Sequence, residues 1–137
     1  MSGKDISPSE FVSRYLIKEN IRSDGVVRHG AFIPPAFNLK LSVFRIYDLS
    51  DEDIWALAVE KVEPARGKVI GRGDLRVSGI IENNLLVEPD EDHGSRHADI
   101  VGWPNDRNHR ATIAKVLAAL ASPAKMRELS IEQTHHA

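Results

Sequence analysis

The order of strand-like and helix-like segments is the feature that most constrains the fold of this 137-residue chain. Short strand-like segments cluster between residues 26 and 102 and do not alternate regularly with helical segments. This order argues against a doubly wound parallel sheet. It predicts an α+β fold, with an antiparallel or mixed sheet of about five strands packed against two or three helices. We expect a single globular domain over residues 1–137, with a frayed polar tail at 130–137.

The segment after Ile6 carries a complete helix start signal. Ser7 has the chemistry of an N-cap, Pro8 occupies the first helical position, and Glu10 lies three residues after the cap. Apolar residues then recur at helical spacing, as Phe11, Val12, Tyr15 and Leu16. The sequence therefore predicts a helix from Pro8 to about Asn20.

Two later segments carry the same kind of signal. Ser50 and Asp53 form a capping-box-like pair, which predicts a helix that ends before Pro64 and Gly67. Asn105 or Asp106 begins another helix that runs to about residue 121. Its buried stripe is expected to comprise Ile113, Val116, Leu117 and Leu120. After residues 122–123, a Ser-Pro pair predicts a shorter helix that extends to residue 129.

Strands are expected at residues 26–33, 41–47, 68–70, 75–81 and 85–88, with a further short one at 98–102. The segment 41–47 is apolar on both faces, which indicates a central, buried strand. The glycine-rich residues 71–74 predict a tight loop. Asn83 and Asn84 tolerate positive φ, so they are expected to close a hairpin.

Composition excludes several functional classes. A formal net charge of −2 gives no overall attraction to nucleic acid or to an anionic membrane. The chain has no cysteine, so disulfides, thiolate nucleophiles and cysteine-ligated zinc are excluded. It has no apolar run of about 20 residues and no apolar signal-peptide core near its first residue. We therefore expect a cytoplasmic protein with no membrane partner.

The segment from Glu88 to Pro104 concentrates the residues that can do chemistry. His97 and Asp99 are two apart, so an extended backbone directs both to the same side. His93 precedes them in a loop that could fold over the strand. Two imidazoles and a carboxylate suit zinc, iron, manganese or nickel, and without a metal a histidine oriented by a carboxylate can act as a general base. These three residues are therefore the candidate catalytic and metal-binding residues, and the plain alternative is a solvated acidic loop.

A basic stretch is the second candidate site. Arg66, Lys68, Arg72 and Arg76 place four positive charges within eleven residues, with only Asp74 to offset them. Such a stretch could contact the phosphates of a nucleotide or nucleic acid. No aromatic residue lies among them to stack on bases, so a charged edge that discourages sheet aggregation is the favoured interpretation.

No strong catalytic motif appears, so the leading hypothesis is a binding function. We expect a small cytosolic macromolecule-binding or accessory module, acting as a subunit, an antitoxin-like protein or a regulatory partner. Trp55 and Trp103 are the candidate interface residues, since tryptophan is enriched in binding hot spots. The expected partner is another protein or a second copy of this chain, and nucleic acid is not favoured.

Two alternatives remain open. One is a metal- or histidine-dependent hydrolase that uses the 93–99 segment, and the other is a nucleotide or nucleic-acid binder that uses residues 66–76. No cofactor is predicted, and a divalent metal is the alternative that the histidine segment leaves open.

Overall fold

The computed structural model describes residues 5–128, which form a six-stranded antiparallel sheet with helices on both faces. The strands are β1 (Phe11–Leu16), β2 (Leu41–Arg45), β3 (Gly71–Arg76), β4 (Leu86–Pro89), β5 (His97–Val101) and β6 (Lys125–Met126). The strand order is β4-β5-β2-β1-β3-β6, and each neighbouring pair is antiparallel. The predicted α+β fold is therefore confirmed. The predicted frayed tail lies outside the described residues.

The helices are α1 (Asp51–Lys61), α2 (Glu63–Arg66), α3 (Val77–Ile81) and α4 (Arg107–Leu120). No helix within residues 5–128 is long and apolar enough to cross a membrane.

Two hydrophobic clusters lie on opposite faces of the sheet. Helix α4 contributes Ile113 and Leu117 to the larger cluster, which includes β2 and β5 residues. Ile54 and Ala58 of helix α1 lie in the smaller cluster, on the face that carries Tyr15 and Phe44.

The predicted first helix is wrong, because its residues form the central strand β1. The local start signal does form one turn: the Ser7 amide donates to the Glu10 carboxylate at 2.8 Å, and the Glu10 amide donates to the Ser7 carbonyl at 3.1 Å. The chain then extends between β2 and β3. Val12 is buried in one hydrophobic cluster and Tyr15 in the other. A central strand buries both faces in this way, and β-branched and aromatic residues suit it.

The region around β3 also differs from its prediction. Residues 71–74 belong to the strand rather than to a tight loop, and residues 77–81 form helix α3 rather than a strand. The glycines serve close packing, because a Cβ on Gly73 would lie 3.0 Å from the Ala121 Cβ atom. Asn84 does adopt a positive φ of 64°, but it connects α3 to β4 and closes no hairpin.

Two smaller segments are corrected as well. The strand predicted at residues 26–33 is wrong, since His29–Phe32 forms a 3₁₀ turn whose Phe32 is fully buried in the larger cluster. The helix predicted after residue 122 is also wrong. Residues Lys125–Met126 instead pair with the start of β3 as the short edge strand β6.

Both later helix starts are confirmed. The Ser50 hydroxyl accepts a hydrogen bond from the Asp53 amide at 3.1 Å, and the Asp106 carboxylate caps α4 through the His109 amide at 2.9 Å. Leu120 is 55% exposed, however, so its predicted burial is wrong, as is that of Val116. The buried stripe of α4 instead runs through small residues and consists of Ile113, Ala114, Leu117 and Ala118.

Candidate functional site

The candidate site is built on the hairpin that joins β4 to β5. The antiparallel register pairs Pro89 with Ala98, and the Asp90 amide donates to the His97 carbonyl at 2.9 Å. Directly opposite residues of an antiparallel pair project to the same face, so Asp90 lies beside His97. A 3₁₀ turn, Glu91–His93, then folds the connection back over the strand.

Three side chains converge there. The Asp90 Oδ2 atom lies 2.7 Å from His93 Nδ1 and 3.2 Å from His97 Nδ1. One potential ligand atom from each residue lies within 4.8 Å of the other two. His97 is only 8% exposed, and among residues 5–128 its Nδ1 atom has no hydrogen-bond partner of acceptable geometry. The two predicted histidines therefore meet, and the carboxylate that joins them is Asp90.

Asp99 lies on the other side of the His97 ring. Its Oδ1 atom is 3.8 Å from His97 Nε2, and Ser42 Oγ is closer to the same nitrogen, at 2.6 Å. Strand pairing explains this arrangement, since Ser42 lies opposite Asp99 in the β2–β5 register. The Phe44 ring contacts the imidazole edge-on, with 5.3 Å between centroids. The prediction that Asp99 completes a cluster with both histidines is thus corrected, because the hairpin register places Asp90 there.

The charges in the cluster shift one another's protonation. The hydrogen bond from His93 lowers the pKa of Asp90, and the same bond together with the Asp90 charge raises the pKa of His93. Burial raises the pKa of Asp99, against the opposing effect of His97. The ionised form of Asp90 is therefore favoured, whereas burial disfavours the ionised form of Asp99.

These side chains line a cavity of about 550 Å³ on the face of the sheet that carries α1 and α2. Asp90, His93, His97 and Asp99 lie along one part of its wall. The cavity also has basic walls, formed by Arg14, Lys40, Lys61 and Arg66. A cavity of this volume suits a small molecule.

The predicted basic stretch does not form one exposed surface. Arg72 is buried and paired with Asp74 at 3.1 Å and with Asp51 at 3.3 Å, so its predicted role at a ligand-binding edge has no support from its position. Arg76 is exposed at the far end of β3, and Lys68 is exposed in the segment before that strand. Of the four predicted residues, Arg66 lines the cavity.

The two tryptophans differ in exposure. Trp103 is 6% exposed and donates from Nε1 to the Ile100 carbonyl at 2.9 Å, so it packs in the core and offers almost no surface to a partner. Its predicted interface role therefore has no support from its exposure. Trp55 is half-buried, with its ring 6.4 Å from Tyr15 and 4.9 Å from the Arg72 guanidinium carbon. A contact role for Trp55 stays a prediction.

Sequence reasoning missed several residues of the site. Asp90 carries a weak local signal, since it lies three residues before His93 and just after a proline that ends β4. Ser42 and Arg14 carry none, because each reaches the site only through strand pairing. No protein-family model, curated protein or solved structure matches this chain.

Proposed function

We propose that this protein binds a divalent transition metal at Asp90, His93 and His97 and acts as a small metal-dependent hydrolase. The observation that carries the proposal is the buried Nδ1 atom of His97. It lacks a hydrogen-bond partner within residues 5–128 and lies in a cluster of potential ligand atoms. Buried polar atoms in folded proteins are nearly always satisfied, and a bound ion would satisfy this one because two further ligand atoms lie beside it.

The spacing of the three side chains is compatible with a metal. Bonds of about 2.0–2.1 Å in a tetrahedral zinc site place ligand atoms about 3.3 Å apart. Asp90 Oδ2 is 2.7 Å from one imidazole nitrogen and 3.2 Å from the other. Ligand atoms of the two histidines also lie within 4.8 Å of each other, and His93 is exposed on its turn.

The surroundings of His97 support Nδ1 as the ligand atom. If Nδ1 binds the metal, Nε2 carries the proton and can donate it to Ser42 Oγ, which lies 2.6 Å away. Metal-bound histidines commonly donate their second ring N–H to an oxygen in this way, which orients the ring. Asp99, at 3.8 Å from the same nitrogen, adds negative charge beside that proton.

Three protein ligands leave a coordination position open for water. A zinc ion held by these residues would lower the pKa of such a water to about 7 and would so supply hydroxide for hydrolysis. The ligand residues line the cavity of about 550 Å³, so a substrate held there can reach this position. The same arrangement suits zinc, manganese, nickel or iron.

A metal-free alternative has one observation in its favour. The Ser42 hydroxyl and His97 Nε2, 2.6 Å apart, have the geometry of a nucleophile and its general base. A base of this kind is oriented by a hydrogen bond at its other nitrogen. His97 Nδ1 approaches Asp90 to 3.2 Å but makes no hydrogen bond to it, so we favour the metal.

The binding-module hypothesis now has less support. It depended on the lack of a clustered site and on two tryptophans as contact residues, of which Trp103 is buried. Binding of another protein or a second copy through Trp55 is the weaker proposal, and nucleic-acid binding is weaker still because Arg72 is buried. We propose a cytoplasmic location, since a chain without cysteine suits a reducing compartment.

Calorimetric titration of the metal-free protein with zinc, manganese, nickel and ferrous ions tests the metal site. We expect saturable binding at one site, weakened at least tenfold in His97→Ala, because that change removes a ligand. His109→Ala is the matched control, since His109 is an exposed histidine outside the cluster. A second control replaces the adjacent residues His135 and His136 with alanine, since paired histidines can bind nickel themselves.

Turnover of p-nitrophenyl acetate and p-nitrophenyl phosphate then tests the chemistry. We expect the wild type to hydrolyse at least one of these two esters. This hydrolysis should disappear with EDTA and in His97→Ala, and it should return when metal is restored to the wild type. Turnover that survives EDTA but is lost in Ser42→Ala would instead establish the metal-free alternative. Equal metal affinity in the wild type and His97→Ala would refute the metal site.

A further inference from the structure

Two arginines in the cavity wall donate only to neutral acceptors. The first is Arg14, on β1, whose Nε donates to the Ala31 carbonyl and whose Nη1 donates to the Ser42 carbonyl, both at 2.9 Å. Burial and the nearby charge of Arg66 lower the pKa of Arg14 to about 9. The guanidinium is therefore held where its positive charge is costly.

The second is Arg66, at the end of α2. Its Nη1 donates to the Tyr15 carbonyl at 3.0 Å, and its Nη2 donates to Asn20 Oδ1 at 3.1 Å. Burial also lowers the pKa of Arg66, against the opposing effect of the Glu19 charge. Within residues 5–128, no carboxylate lies at salt-bridge distance from Arg66 or from Arg14.

The two fully buried arginines of the protein, unlike the half-buried Arg14 and Arg66, do have acidic partners. Arg45 pairs with Glu10 at 3.0 Å, and Arg72 pairs with Asp74 at 3.1 Å. Such pairing is the usual way in which a protein offsets the desolvation of a buried charge. The two cavity arginines depart from this pattern, and both line the same space as the histidine cluster. An anionic ligand in the cavity would bring a negative charge into direct contact with both guanidinium groups.

We propose that Arg14 and Arg66 form a subsite for the phosphate group of a phosphorylated small molecule. Guanidinium groups present several fixed N–H donors, a geometry that matches the oxygens of phosphate. Lys40 and Lys61 line the same cavity and are exposed, which adds two more positive charges at the site. Together these four cations suit a phosphate dianion better than a single carboxylate.

The subsite narrows the substrate class of the proposed hydrolase to phosphorylated small molecules. That assignment as a substrate rests on the proposed function, whereas phosphate binding by the arginines does not require the metal. The Ser42 carbonyl accepts from Arg14, and the Ser42 hydroxyl contacts His97, so one residue connects the two halves of the cavity.

The test is calorimetric titration with inorganic phosphate in the presence of EDTA, at constant ionic strength. We expect saturable binding by the metal-free wild type. Arg66→Gln should weaken it by about 10- to 100-fold, the effect of losing charge-assisted hydrogen bonds. Arg76→Gln is the matched control, because Arg76 also donates to a backbone carbonyl, that of Ser9 at 3.0 Å, but lies outside the cavity. We expect wild-type phosphate affinity in this variant.

A second variant guards against a folding effect. Lys40→Gln changes an exposed side chain on the cavity rim, so it should leave the unfolding temperature unchanged and weaken phosphate binding several-fold. Acetate and malonate, titrated in parallel at the same ionic strength, should bind at least tenfold more weakly than phosphate.

Several outcomes would overturn the subsite. The first is that the metal-free protein shows no saturable phosphate binding. The second is that Arg66→Gln and Arg76→Gln lose phosphate affinity equally. Carboxylates that bind as tightly as phosphate would overturn the assignment of the anion. Phosphate that binds only after zinc is added would place it on the metal and not on the arginines. By contrast, phosphate binding without any metal binding would uphold the subsite and refute the proposed hydrolase.

Discussion

Replacing Ser42 with alanine tests how the protein would orient a metal-binding histidine. The change removes the Oγ atom that lies 2.6 Å from His97 Nε2 and leaves the proposed ligand atom, Nδ1, in place. Loss of such an outer hydrogen bond typically costs 10- to 100-fold in metal affinity. This range corresponds to about 1.4–2.7 kcal/mol of binding free energy. We expect a value toward the lower end, because Asp99 Oδ1, at 3.8 Å from the same nitrogen, can turn to accept its proton.

The free energy of unfolding of metal-free Ser42→Ala should fall by only about 0.5–1.5 kcal/mol, the net worth of one hydrogen bond. Zinc affinity from competitive titration against a chelator and stability from urea denaturation are the two measurements. Ser13→Ala is a close control. Ser13 is a buried serine on the neighbouring strand, directly opposite Phe44, and within residues 5–128 its hydroxyl has no hydrogen-bond partner.

We expect Ser13→Ala to bind zinc as the wild type does and to be at least as stable, because it removes an unsatisfied buried hydroxyl. The double variant Ser42→Ala/Asp99→Asn should lose more affinity than Ser42→Ala alone, since both acceptors for the His97 proton are then altered. Wild-type zinc affinity in Ser42→Ala, or an equal loss in Ser13→Ala, would refute this account of how His97 is oriented.

Three further predictions concern stability and pH. Leu117→Ala should lower the free energy of unfolding in urea by about 2–5 kcal/mol, whereas Leu120→Ala on the exposed side of the same helix should change it by less than about 0.5 kcal/mol. Similar losses of stability in the two variants would contradict the burial of Leu117 and the exposure of Leu120. Ser50→Ala should cost about 1 kcal/mol through loss of the α1 cap, and an unchanged thermal midpoint would show that the cap contributes nothing. Asp90 raises the pKa of His93, so protons compete with the metal up to a pH above the ordinary histidine value of about 6.5. Zinc affinity should thus rise with pH through this range, and an affinity independent of pH would exclude the imidazoles as ligands.

Local sequence signals were sufficient for the elements whose stabilising contacts are close in sequence. Ser50 and Asp106 each cap a helix through an amide three residues further on, and both starts are where the sequence predicts them. The strand at Leu41–Arg45 was likewise identified by apolar residues on both faces. The same kind of signal misled at Ser7, where the local turn forms but burial on both faces of β1 outweighs the helical spacing. A capping motif is worth about 1 kcal/mol, which is less than the burial of a single large side chain in a core.

The sequence by itself determined the fold class and the segment in which the two histidines meet. Tertiary structure decided which carboxylate lies between those histidines. The β4–β5 register places Asp90 opposite His97, whereas Asp99 is nearer to His97 in sequence and lies on the same strand. Strand pairing also brought Ser42 close to His97, from which it is separated by 55 residues in sequence, and Arg14 to the same cavity. Side chains from distant strands become neighbours only when pairing sets a register. Register depends on burial across the whole sheet, which no local window of sequence contains.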